Sequence, residues 1–138
     1  MNSILRNTLA VIAGFFVGCF VNGAIFSFYP SLFPLPEEVL TGGLVGNAHL
    51  LELPHLISVF LAHGLGTLVG AFLAAKIAVS KQLFLSMTVG VLFLLAGIAV
   101  NAWLNFSPLS FSIIDITLAY IPMAWIGWKL APPLKRRF

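Results

Sequence analysis

Four polar residues lie within long apolar stretches of the chain and are the first candidates for chemistry: His63, Asp115, Asn22 and Asn101. An ionisable side chain inside an apolar segment is costly, so it marks a functional position by default. An imidazole beside a carboxylate can gain or lose a proton near neutral pH. We therefore expect His63 and Asp115 to form the charged pair of a ligand- or proton-binding site, with Asn22 and Asn101 hydrogen-bonding around it. The alternative for each residue is structural, as a hydrogen bond that ties two helices together.

A second group of residues has the ligand types of a transition-metal site. His49, Glu52 and His55 follow the spacing H-x-x-E-x-x-H, and imidazole and carboxylate suit zinc, iron or copper. Pro54 interrupts the group, so the three side chains need not share one helix face. The sequence thus predicts a metal site or, as the alternative, a polar anchor where the chain enters a bilayer. Haem bound by His55 or His63 is a related alternative.

No catalytic residue is predicted. Serine, histidine and aspartate all occur, but the sequence has neither a nucleophile-elbow motif nor a glycine-rich phosphate loop. We therefore expect a protein that is not an enzyme, and a metal- or haem-dependent membrane enzyme stays the alternative.

The kind of element that must carry these residues follows from the composition. Of 138 residues, 60% are hydrophobic and 8% are charged, whereas a soluble domain has about 25% charged residues. A soluble globular protein is therefore excluded. A net charge of +3 is too small for a nucleic-acid-binding surface, and the single cysteine excludes an intrachain disulfide.

Charge-free stretches predict where the helices lie. A helix needs about 20 mainly apolar residues to cross the hydrocarbon core of a bilayer, and the apolar runs here are too long and too uniform for strands. The predicted fold is an all-α, integral membrane four-helix bundle in a single domain, 1–138. Residues 31–53 form an insertion outside the membrane, with a short helix whose start is indicated by Pro36-Glu37-Glu38 and whose end is indicated by Gly42-Gly43. The predicted spans are about 6–29, 54–76, 82–105 and 108–129.

The charged residues predict the orientation of this bundle. All seven basic residues flank one set of span ends, and the acidic residues of the insertion lie at the other. Because positively charged loops stay in the cytoplasm, we expect both termini to be cytoplasmic and the insertion to be periplasmic. The spans then form two parallel helical hairpins. Gly18–Gly23 and Gly97–Ala102 share a G-x-x-V-N-small pattern, which indicates either a duplication or chance. The basic residues are Arg6, Lys76, Lys81, Lys129, Lys135, Arg136 and Arg137, and the acidic residues of the insertion are Glu37, Glu38 and Glu52.

The four polar residues should meet at one depth. At about 1.5 Å per residue, His63 lies roughly 13 Å below Pro54 and Asp115 roughly 10 Å below Pro108. The two asparagines lie in the same outer half, and each follows small residues that allow close packing. We expect a polar pocket that opens to the periplasmic side, with Tyr120 among the few polar residues of the inner half. The polar residues extend only half-way across the membrane, which argues against a channel or transporter formed by one subunit.

The stretch Leu61–Ala71, LAHGLGTLVGA, resembles a pattern found in small four-helix bacterial membrane proteins of unknown function. The resemblance covers about the middle third of the chain and implies the same kind of bundle, but it implies no activity. The size and the charge layout favour a bacterial inner membrane.

The sequence therefore favours a small multi-pass inner-membrane protein whose pocket binds or senses a ligand or protons. Three alternatives stay open: a structural or accessory subunit, an oligomeric transport protein that uses Asp115 and His63, and the metal- or haem-dependent enzyme. Several helices have small-residue faces that can pack against a second copy of the chain, so we expect a homo-oligomer. Membrane lipids are the other expected partners, and we expect no binding to nucleic acid. The sequence identifies neither the ligand nor a cofactor.

Overall fold

The computed structural model describes residues 2–105 and 108–133, and the chain is all-α over them. Four segments are long and apolar enough to cross a membrane: Ser3–Ser31, Leu53–Ile77, Gln82–Leu104 and Leu109–Leu130. The prediction of four long apolar helical spans is confirmed. The basic residues Lys135, Arg136 and Arg137 lie outside the described residues. The α-helices are α1 (Ser3–Phe28), α2 (Glu37–Gly42), α3 (Leu53–Ile77), α4 (Gln82–Leu104), α5 (Leu109–Leu118) and α6 (Ile121–Leu130).

Helix α3 lies at the centre of the bundle and contacts α1, α4 and α6. Half of its most apolar stretch is buried, against 17% for α1. Its small residues Ala62, Gly66, Gly70 and Ala74 are all buried. Because they recur every four positions, they form one continuous side of the helix, against which neighbouring backbones can approach closely.

The closest approach is between α1 and α3, at two pairs of glycines. A β-carbon on Gly14 would lie 2.5 Å from the carbonyl oxygen of Gly70, and one on Gly18 would lie 2.6 Å from that of Gly66. Conversely, a β-carbon on Gly66 would lie 2.8 Å from the carbonyl oxygen of Gly18, and one on Gly70 would lie 2.6 Å from that of Gly14. Larger side chains are therefore excluded at this crossing. The small face of α1 is thus used inside the chain, and the homo-oligomer stays a prediction.

The fourth span is two helices rather than one. Helix α5 ends at Leu118, α6 begins at Ile121, and Pro122 stands in the first turn of α6. Proline has no N–H and its ring crowds the carbonyl four residues earlier, here that of Leu118, so the helix breaks. In an unbroken helix residues five apart lie about 140° apart around the axis. The break is therefore what brings Tyr120 back toward Asp115.

Residues 31–52 fold over one end of the bundle, which we name the loop end. Helix α2 begins at Glu37 and ends before Gly43, as the sequence predicts, and the φ of Gly43 is +77°, which suits glycine. Val39 of α2 packs there with Leu56 of α3 in a small apolar cluster. This cluster holds the segment against the helices.

At the opposite end, α1 is tied to the connection between α3 and α4. Arg6 donates from Nε to the carbonyl of Ile77 at 3.1 Å. The amide of Asn7 donates to the hydroxyl of Ser80 at 2.8 Å and accepts the backbone N–H of Val79 at 3.1 Å. These contacts fix the level of α1 against α3, and so the register of the glycine pairs.

Candidate functional site

A cavity of about 580 Å³ lies among α1, α3, α4 and the segment at the loop end. This size is within the range of about 300–1,000 Å³ that is typical of small-molecule sites. Most of its wall is apolar, and rings from three helices contribute: Phe26 of α1, Phe93 of α4 and Phe111 of α5. The residues with polar side chains on the wall are Cys19, Asn22, Tyr29, His55, Ser58, His63, Asn101 and Tyr120.

Three side chains from two spans converge beside this cavity: His63, Asp115 and Tyr120. Nδ1 of His63 lies 2.8 Å and 3.0 Å from the two carboxyl oxygens of Asp115. The Tyr120 hydroxyl donates to Oδ2 of Asp115 at 3.1 Å and lies 2.9 Å from Nδ1 of His63. The contact between His63 and Asp115 that the sequence predicts is therefore present.

The three side chains differ in how deeply they are buried. Asp115 is completely buried and Tyr120 is 1% exposed, whereas 13% of the His63 side chain is accessible. Asp115 is not on the cavity wall, but His63 and Tyr120 are. A lone carboxylate in such a place costs several kcal/mol, and the two hydrogen bonds from His63 and Tyr120 offset part of that cost. Asp115 thus acts on the cavity only through the imidazole and the phenol that cover it.

The second ring nitrogen of His63, Nε2, is the exposed polar atom of the group. No described residue hydrogen-bonds to it, although Nδ1 is fully engaged. Within the described part of the chain no buried side-chain nitrogen or oxygen lacks a partner. Nε2 is therefore accessible, and it belongs to a residue that lines the cavity. A hydrogen-bonding group of a bound molecule can reach it there.

Tyr120 is the member of the site that the sequence analysis misplaced. A continuous fourth helix would put it in the inner half, away from His63, but the break before Pro122 carries it to Asp115. Gly97 of α4 makes room for it, because a β-carbon there would collide with the Tyr120 hydroxyl. Pro122 is the signal in the sequence that could have indicated the break.

The two asparagines of the predicted site have different surroundings. Asn101 donates from Nδ2 to the carbonyl of Gly97 at 3.0 Å and accepts the hydroxyl of Ser112 at 2.8 Å, so it ties α4 to α5. Asn22 lines the cavity beside Gly66 of α3 and makes no hydrogen bond to a described residue. Asn22 and His63 therefore carry the free polar groups from the predicted set.

The predicted metal ligands are not grouped. His49 is exposed in a 3₁₀ turn, Ala48–Leu50. His55 is buried and uses both ring nitrogens: Nδ1 accepts the backbone N–H of Glu52 at 3.1 Å, and Nε2 donates to the carbonyl of Pro34 at 3.1 Å. The described residues contain no group of three histidine, cysteine or acidic side chains that could hold a metal ion. The metal and haem sites stay predictions from sequence.

The bundle is packed on the far side of the site. Ala74, Val89, Phe93, Ala119 and Tyr120 form a buried apolar cluster there. Phe93 and Tyr120 belong both to this cluster and to the cavity wall, so the cluster is the floor of the cavity. The cavity therefore ends at this cluster, between the loop end and the middle of the bundle.

Comparison with known proteins gives no match: no protein-family model, no curated protein and no solved structure matches this chain. The function therefore has to be argued from the chemistry of the site itself.

Proposed function

We propose that this chain is a multi-pass integral membrane protein that binds an apolar small molecule in the cavity. The polar group of that molecule is held at Nε2 of His63. The observation that carries the proposal is the free, accessible Nε2 on an otherwise mostly apolar wall, with Nδ1 fixed by the buried Asp115. Mostly apolar walls with a few placed polar groups are typical of small-molecule sites.

The membrane location rests on the surface of the bundle. Large apolar side chains such as Phe16, Phe20 and Leu95 are exposed on the long helices, and an apolar surface of this extent needs lipid around it. Trp125 and Trp128 lie in the last turns of α6 with Lys129 stacked on both rings. Aromatic and basic residues at a span end are typical of the membrane–water interface.

The orientation follows from the same reasoning. The basic residues of the described chain lie at the end opposite to the loop end, and the acidic residues of α2 lie at the loop end. The positive-inside rule then assigns the loop end and the cavity mouth to the periplasmic side of a bacterial inner membrane. Ser3 and Leu130 are assigned to the cytoplasmic side. The basic residues in question are Arg6, Lys76, Lys81 and Lys129.

Binding accounts for more of the site than the alternatives do. A structural lock between helices explains the contacts at Nδ1 of His63, as it explains the Asn101–Ser112 bond. It does not explain an open Nε2 beside a cavity of about 580 Å³. A transport path would have to continue past Tyr120, where the side chains are packed into a buried apolar cluster.

The test is to fill the cavity and measure the binding of an apolar fluorescent probe. Gly23 lines the cavity and a β-carbon there would meet nothing within 4 Å, so Gly23→Phe should occupy the space without disturbing α1. Its neighbour Ala24 is exposed and does not line the cavity, so Ala24→Phe is the matched control.

We expect the protein in nanodiscs to bind aminoanthracene saturably, and Gly23→Phe to reduce the affinity at least about tenfold, since it displaces a buried ring. Ala24→Phe should bind like the unmodified protein. Equal affinity in all three proteins would mean that the probe binds the lipid-facing surface, and the proposal would fail.

A further inference from the structure

The protonation pattern of the His63–Asp115 pair determines which chemical group the cavity accepts. Asp115 is completely buried, and among the described residues its contact with His63 is the one contact of salt-bridge length between an acidic and a basic side chain. No lysine or arginine lines the cavity. A net charge at such a place is costly, so the pair is favoured in its overall neutral form.

With the Tyr120 hydroxyl donating to Oδ2 of Asp115, the neutral pair can place its protons in two ways, and both give the same result at the cavity. In one, the carboxylate faces a doubly protonated imidazole, so that both nitrogens of His63 carry hydrogen. In the other, a protonated Asp115 donates to Nδ1, and the neutral imidazole carries its hydrogen on Nε2. Nε2 is a hydrogen-bond donor in either arrangement. Nε2 would be an acceptor only with a net charge of −1, or with a protonated Asp115 that donates to the Tyr120 hydroxyl instead of accepting from it.

The other titratable groups on the cavity wall do not change this balance. Tyr29 donates to the carbonyl of Pro54, and His55 donates to the carbonyl of Pro34, so both are engaged by backbone at the loop end. Cys19 is a free thiol of α1 on the wall. None of these three side chains is a cation placed to compensate a bound anion.

From this we infer that the ligand of the cavity is an uncharged, ring-bearing molecule with a carbonyl oxygen, which accepts a hydrogen bond from Nε2 of His63. The inference rests on the proposed function and names its ligand class. An added carboxylate would leave the cavity with a net negative charge and no lysine or arginine on its wall. The rings of Phe26, Phe93 and Phe111 on the wall suit a flat aromatic body.

The experiment compares four probes of one shape: naphthalene, acetylnaphthalene, naphthol and naphthoate. The affinity of each probe is measured by its displacement of aminoanthracene from the unmodified protein in nanodiscs. These four measurements therefore need no variant protein. Acetylnaphthalene adds a carbonyl that only accepts hydrogen bonds, naphthol adds a hydroxyl that donates and is a weaker acceptor, and naphthoate adds a negative charge. We expect acetylnaphthalene to bind about five- to tenfold more tightly than naphthalene, the effect of one hydrogen bond, and more tightly than the other two.

The variant His63→Leu should bind naphthalene and acetylnaphthalene equally, while His49→Leu, at an exposed histidine, should keep the preference of the unmodified protein. Naphthol or naphthoate as the tightest ligand would overturn the inference, and so would equal affinity of all four probes. In those cases the cavity still binds, and the proposed function stands. Binding of none of the probes would remove the proposed function together with the inference.

Discussion

The contact between His63 and Asp115 should appear as a coupling in the free energy of unfolding. Asp115→Leu removes the shared acceptor of the imidazole N–H and the Tyr120 hydroxyl, and these two groups keep only each other, 2.9 Å apart, so one buried hydrogen goes unpaired at a cost of about 1–3 kcal/mol. His63→Leu leaves the buried carboxyl with Tyr120 as its one remaining described donor. When both residues are leucine, the Tyr120 hydroxyl is the group that stays unpaired. The double variant should therefore lose less stability than the two single variants added together.

The size of this coupling can be bounded. Hydrogen bonds between membrane helices average about 0.6 kcal/mol and reach about 1.7 kcal/mol. The contact here is 2.8 Å long and ends on a carboxyl, which places it at the upper end, so we expect about 1–2 kcal/mol. The assay is equilibrium unfolding in SDS mixed micelles for the unmodified protein, both single variants and the double variant.

The neutral pair Asn101–Ser112 is the internal control, since its hydrogen bond also joins two helices at 2.8 Å. A cycle with Asn101→Leu and Ser112→Ala should give a coupling near the average of about 0.6 kcal/mol. A His63–Asp115 coupling no larger than this control would refute the reasoning.

Four further predictions test the packing and the site. Gly18→Ala should destabilise the protein by about 1–3 kcal/mol, because its methyl group meets the Gly66 carbonyl. Gly23→Ala is the control and should leave the stability unchanged, since there is open space around it. An equal loss of stability in both variants would contradict the close helix crossing. Gly97→Ala should cost a similar amount and weaken probe binding, because it displaces Tyr120; unchanged stability would mean that Tyr120 is elsewhere. Tyr120→Phe should cost about 0.5–1.5 kcal/mol and keep the preference for acetylnaphthalene; loss of that preference would show that the phenol, not Nε2 of His63, binds the carbonyl. His55→Leu should speed protease cleavage within residues 31–52, because the hydrogen bond that holds Pro34 is lost. His49→Leu, at an exposed histidine, is the control. Equal cleavage rates in the two variants would contradict the role of His55 in anchoring this segment.

The long helices and one short helix could be predicted because each has a local cause. Runs without charge, of a length that spans a bilayer, predict α1, α3 and α4 to within about three residues. Glu37 in a first turn and Gly43 with positive φ mark the ends of α2. The pairing of His63 with Asp115 was predictable because their depths match and a buried carboxylate requires a partner.

The remaining features of the site depend on tertiary contacts that a pattern does not encode. Tyr120 reaches Asp115 only because Pro122 breaks the fourth span, and a hydropathy pattern is the same for a broken helix as for a continuous one. Asn22 and Asn101 have the same sequence surroundings, yet only Asn101 finds a serine on the next helix. The ring nitrogens of His55 are engaged by backbone atoms of Pro34 and Glu52, which no ligand spacing reveals.

The central claim is that Nε2 of His63 donates a hydrogen bond to a molecule in the cavity. The most direct test is solid-state NMR of ¹⁵N-histidine-labelled protein in bilayers, with the His63 signals assigned by their absence in His63→Gln. We predict a protonated Nε2 whose signal shifts when acetylnaphthalene is added, while the signals of His49, which does not line the cavity, stay unchanged. An unprotonated Nε2, or a His63 signal that does not move while the probe is bound, would contradict it.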